Sequence, residues 1–110
     1  MPAYLIQLSY KPETIASFLK HPTDRKEAIA KLAAQVGGTV VGSWLALGDY
    51  DAVVIIEGPD LIGAAACSMV VSASGAFKAY KTTPLLSADE GIAAMKKAGK
   101  MSYKPPTAKK

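Results

Sequence analysis

Apolar and polar residues alternate at a period of two from Tyr4 to Tyr10, with Tyr4, Ile6, Leu8 and Tyr10 set against Leu5, Gln7 and Ser9. Successive side chains of a strand point to opposite faces, so this pattern predicts a first strand, closed by Lys11-Pro12. Thr14 to Leu19 reads as a short helical turn, which His21-Pro22 breaks because a residue before proline is pushed away from helical angles. Asp24 and Glu27 have capping-box spacing, and Ile29, Leu32, Ala33 and Val36 then fall at the i, i+3, i+4 and i+7 positions of one helix face. Gly37-Gly38 stops that helix.

Thr39 to Leu47 is rich in β-branched and aromatic residues and predicts a second strand. Gly48-Asp49 is a turn signal between two such runs, and Tyr50 to Glu57 follows as the third strand, in a hairpin with the second. After Gly58-Pro59, Asp60 is a good N-cap for an alanine-rich helix running to about Ala73. Phe77 to Thr83 alternates again as a fourth strand ended by Pro84. Ser87 with Glu90 is a second capping box, opening a short helix through Ala94 and Lys97 that Gly99 terminates. The order is β-α-β-β-α-β plus a terminal helix. It predicts an α+β, ferredoxin-like domain over residues 1–99, with an antiparallel four-stranded sheet and helices on one face. Residues 100–110 are rich in Lys and Pro with no apolar face, and read as a disordered or extended basic tail.

Such a topology leaves one sheet face without helices, and the strands do not alternate as a half-solvated sheet should. On the third strand Tyr50, Ala52, Val54 and Ile56 oppose Val53 and Ile55; on the second, Val40, Trp44 and Ala46 oppose Val41, Leu45 and Leu47. Both faces are apolar. The expected cover is another copy of the chain, making the protein a homo-oligomer through its sheet; the alternative cover is the terminal helix around Ile92 and Met95.

Composition adds bounds. The chain has 110 residues, enough for one core, and its 50% apolar and 20% charged residues are those of a globular protein. No run reaches the roughly 20 apolar residues that span a bilayer, so no membrane partner is expected. The start Met1-Pro2-Ala3-Tyr4 has no basic region, no secretory signal is expected, and the single Cys67 suits a reducing compartment; the expected location is cytoplasmic. The formal charge of +4 suggests nucleic acid until it is mapped. Lys96, Lys97, Lys100, Lys104, Lys109 and Lys110 hold the excess, while residues 1–95 carry seven bases against nine acids. Nucleic acid is therefore not an expected partner of the body, and weak polyanion binding through the lysine tail is the last of the functional readings.

The segment Leu45-Ala46-Leu47-Gly48-Asp49-Tyr50-Asp51-Ala52-Val53 resembles the signature of the GYD-domain family of small bacterial proteins, and Ala33 to Val40 and Pro2-Ala3-Tyr4 also fit that family's pattern. The resemblance runs from about residue 2 to about residue 95. It implies a ferredoxin-like fold of the dimeric α/β-barrel kind, in proteins largely without assigned chemistry.

Candidate chemistry is sparse. Asp49 and Asp51 flank Tyr50, and on a strand both carboxylates would share a side, a pair able to bind a cation or share a proton; turn aspartates also commonly bond nearby amides. His21 is the sole histidine; the resemblance to dimeric barrels implies a lone histidine used in haem or oxidative chemistry, which as a single-ligand site would need substrate or other spatial partners, and the alternative is an ordinary loop residue. His21, Asp49 and Asp51 are thus the candidate catalytic residues, for an oxidative or isomerase-like enzyme of the dimeric-barrel kind. Trp44, Tyr50 and Tyr80, with Phe77, are candidate ligand walls, although strand aromatics commonly just pack. Cys67 in a small-residue helix reads as a buried, inert thiol. No phosphate-loop, dinucleotide, zinc-protease, thiol-redox or hydrolase motif occurs, so neither a metal nor a cofactor is expected. Whether the chain is an enzyme stays open, and the leading reading is a small-molecule-binding or regulatory oligomeric domain.

Overall fold

The computed structural model describes residues 1–106, in which eight elements follow one another: β1 (Ala3–Tyr10), α1 (Pro12–Lys20), α2 (Lys26–Ala34), β2 (Thr39–Leu45), β3 (Ala52–Glu57), α3 (Leu61–Ala73), β4 (Phe77–Leu85) and α4 (Ala88–Ala98). The strands form one antiparallel sheet in the order β2-β3-β1-β4, the ferredoxin-like arrangement expected from the element order. The sheet is open. Its edges, β2 and β4, do not meet, so the chain by itself does not close the barrel that the family resemblance implies.

The core lies on one face. Tyr4, Ile6 and Leu8 of β1 and Ala52, Val54 and Ile56 of β3 are buried there, against Ala33 of α2 and Ala64 of α3. The Tyr4 hydroxyl donates to the Pro59 carbonyl at 3.1 Å, which lets a phenol sit in that core without an unmet hydrogen bond. Asp60 caps α3 by accepting from the Gly63 amide at 2.7 Å, and Ser87 and Glu90 form both halves of the capping box of α4. On α2 the face formed by Ile29, Leu32 and Ala33 turns inward as its spacing predicts, and Val36, half-buried, follows in the turn after the helix ends at Ala34. No helix among the described residues is long and apolar enough to cross a membrane.

Several expectations are corrected. The expected turn at Thr14–Leu19 is a nine-residue helix, because Pro12 occupies the first helical position, where its missing N–H costs nothing. Asp24 is not the N-cap of α2; that position is Arg25, and Asp24 Oδ1 accepts from the Lys26 amide at 2.9 Å instead. Glu27 reaches Lys31 at 3.2 Å in an exposed pair rather than closing a box. β4 runs through Pro84 to Leu85, which is tolerated because β4 is an edge strand and needs no donor on its outer side.

The larger correction concerns β2. Val40 pairs with Ile56 but Gly42 pairs with Ile55, so Val41 is an extra residue in a β-bulge. Beyond it the faces exchange: Trp44 stands opposite Val53 on the helix-free face and Leu45 opposite Ala52. A side chain at Gly42 would collide with the Trp44 ring, which occupies the space above that glycine. The strands also end early. Residues 46–51 form the hairpin loop, Gly48 takes φ +119° within it, and Tyr50 is half-buried in this loop rather than on β3.

Finally, α4 buries none of its residues, with Ile92 50% and Met95 73% exposed. The molecule measures 63 × 32 × 23 Å, and its radius of gyration is 18.0 Å, against about 13 Å for a compact domain of this length. The terminal helix therefore does not cover the sheet's second face. The tail runs exposed and without regular structure to Pro106, and its last residues, 107–110, lie outside the described part.

Candidate functional site

The helices that cover the sheet do so with small side chains. α3 turns Gly63, Ala64 and Cys67 inward, and α2 contributes Ala28 and Ala33. Larger α3 residues, Leu61, Ile62 and Met69, point out and are 67%, 80% and 70% exposed. Ala28, Ala33 and Cys67, above a floor of Ile6, Leu8, Val54 and Ile56, leave space between the layers, and a cavity of about 270 Å³ occupies it. This is close to the lower end of ligand-pocket volumes, about 300 Å³. Phe77 and Tyr80 of β4 and Tyr10 of β1 complete the walls, and the exposed Arg25 borders the cavity. A second hollow, about 430 Å³, shares Leu8, Tyr10, Arg25, Ile29 and Val54 with the first and opens between the 22–26 loop and the Trp44–Leu45 end of β2. Tyr10 and Arg25 thus stand where the two spaces join.

The walls are uncharged apart from Arg25. Burial pushes the Tyr10 phenol above its ordinary value, with the nearby Arg25 guanidinium pulling it down and Asp51 pushing it up. Burial likewise raises the Cys67 thiol, so at neutral pH it is a protonated, weakly nucleophilic group. Tyr80 is raised mainly by burial and further by the adjacent Cys67. Thr82 pulls the other way on Tyr80, although its buried Oγ1 makes no hydrogen bond of acceptable geometry.

The residues singled out from the sequence distribute unevenly around this site. Tyr80 and Phe77 line the cavity, and Cys67 is buried beside Tyr80. Trp44 borders the outer hollow. Tyr50 lines neither space. Asp51 Oδ2 accepts from the Tyr10 amide at 2.9 Å, and the Asp49 carbonyl accepts from Ser9 Oγ at 3.1 Å, so both aspartates fasten the hairpin loop to β1. His21 is exposed at the end of α1, its amide donating to the Ser17 carbonyl and its own carbonyl accepting from Thr23. No group of three or more His, Cys, Asp or Glu side chains able to hold a metal occurs among the described residues. On β4, Lys81 pairs with Gln7 on the helix-free face while Tyr80 faces the cavity, so the two do not share a surface.

A family model of the GYD domain matches residues 4–95. The chain belongs to the GYD-domain family. The matched span of this GYD domain contains the sheet except for Ala3, the first three helices and the cavity between them. No curated protein matches the chain significantly. Membership fixes the fold and assigns no reaction.

Sequence reasoning overlooked Tyr10 and Arg25. The signal for Arg25 was its position four residues before Ile29, which sets it, as the exposed N-cap of α2, just ahead of that helix's apolar face. The signal for Tyr10 was its place at the end of the Tyr4, Ile6, Leu8 series.

Proposed function

We infer that this GYD domain binds an apolar small molecule between its sheet and helices, and that it works as a homo-oligomer joined through its sheet. The cavity carries the first part. It is half open and lined mainly by aliphatic and aromatic side chains, and the small residues on its helix side, Ala28, Ala33 and Cys67, leave room that larger ones would fill. A lone buried thiol fits a cytoplasmic protein.

Self-association rests on uncovered apolar surface. Leu5, Val53 and Ile55 lie half-exposed on the helix-free face beside Trp44, and α4 does not reach over them. The outward side of α3 is apolar as well. A helix apolar all round is ordinarily a buried one, and burial returns roughly 25 cal/mol per Å².

Cys67 supplies a built-in test of the cavity. Decanol titrated into the native protein should slow alkylation of Cys67 by N-ethylmaleimide; an alkylation rate indifferent to the probe would sink the binding reading. Light scattering on the same preparation should give a mass above that of one chain, lowered by Ile55→Lys. A wild type that runs as a monomer removes the oligomer.

A further inference from the structure

The cavity has one permanent charge along its walls, that of Arg25, and no carboxylate. Among the described residues Arg25 takes part in no ion pair, the sole pair there being Lys31 with Glu27. Its chain neighbour Asp24 accepts from the Lys26 amide through Oδ1, Asp51 accepts from the Tyr10 amide through Oδ2, and neither comes within ion-pair distance of the guanidinium. Arg25 also lies where the inner cavity joins the outer hollow, close enough to the Tyr10 phenol to influence its ionisation. An apolar chamber with an exposed cation and a phenol where it meets the outer hollow is matched by a molecule with an apolar body and an anionic head.

Building on the cavity reading above, we propose that the ligand is an organic monoanion, an aliphatic or aryl carboxylate, whose head is held by Arg25 and the Tyr10 hydroxyl while its body lies over Leu8 and Val54. The planar guanidinium suits a carboxylate because its parallel N–H groups match the two oxygens. Tyr10 is a hydrogen-bond donor at neutral pH, as any phenol with an ordinary value of 10.0 is, and burial only raises that value. A dianionic phosphate would bring a second charge that nothing inside neutralises, and an amine would meet the like charge of Arg25. Lys26, on the border of the outer hollow, adds positive potential on the approach and Asp24 offsets it, so Arg25 decides the sign.

The test compares decanoate, decanol and decylamine by calorimetry on the full chain, below their aggregation limits. Decanoate is expected to bind at least tenfold more tightly than decanol, and decylamine more weakly than either. Arg25→Gln should cost decanoate tenfold or more and leave decanol unchanged, Arg25→Lys should recover part of the loss, and Tyr10→Phe should cost decanoate a smaller factor. Decanol binding as tightly as decanoate, or a decanoate preference that survives Arg25→Gln, overturns the monoanion while the apolar cavity stands. If decanoate still binds Cys67→Phe, in which the cavity is filled, the ligand sits elsewhere and the assignment falls. If none of the probes binds and none protects Cys67 from alkylation, the cavity reading falls with it.

Discussion

The backbone amide of Tyr10 donates to Asp51 Oδ2 at 2.9 Å, tying the last residue of β1 to the loop that carries the Gly48-Asp49-Tyr50-Asp51 motif. The bond is partly buried and joins residues 41 positions apart. Removing its acceptor leaves an amide unsatisfied, so Asp51→Ala should lower stability by about 1–3 kcal/mol, with Asp51→Asn costing less. Asp49 uses its backbone carbonyl rather than its side chain, and Asp49→Ala should stay within about 0.5 kcal/mol of wild type. Urea denaturation measures both. Equal losses for the two would assign the motif's acids a shared role.

Trp44 and Gly42 share the helix-free face, and the indole fills the space above the glycine. Gly42→Ala must push the ring aside. As the chain has a single tryptophan, its emission reports the displacement directly, and the maximum should move to longer wavelength. An unchanged spectrum with an unchanged urea midpoint would mean that the ring does not rest there in solution.

Alkaline pH should destabilise the fold in a defined order. Burial raises the pKa of Cys67, Tyr10 and Tyr80, so the folded chain holds these protons more tightly than the unfolded one. Their contribution is complete below the ordinary values and is lost as pH rises through and above them. The thermal midpoint should therefore decline from near pH 9.0, the ordinary value for the thiol, and fall more steeply beyond 10.0, that for the phenols. Cys67→Ala should flatten the first part of the decline. If its slope matches wild type, the thiol is not buried in solution.

Deleting residues 87–110 removes α4, none of whose residues is buried, together with the tail. Helical circular dichroism should fall while the urea midpoint of the body stays unchanged. A large loss of stability would place α4 on the body of its own or another copy, a result that light scattering at several concentrations then resolves.

Element order and most of the inward positions were legible in the sequence because they arise between neighbours. Period two in Tyr4, Ile6 and Leu8, the helical spacing of Ile29, Leu32 and Ala33, and the caps at Asp60 and Ser87 need only a few adjacent residues to be recognised. Tertiary structure decided what depends on distant ones. The bulge at Val41 exchanged the faces of β2, and period-two counting loses its meaning across an extra residue. It also decided that Asp51 meets Tyr10 and that α4 stands away from the sheet. The cavity belongs to this second group. Alanine and cysteine on two helices are ordinary helix composition, and they become the wall of a chamber bordered by Arg25 when both helices settle over the same strands.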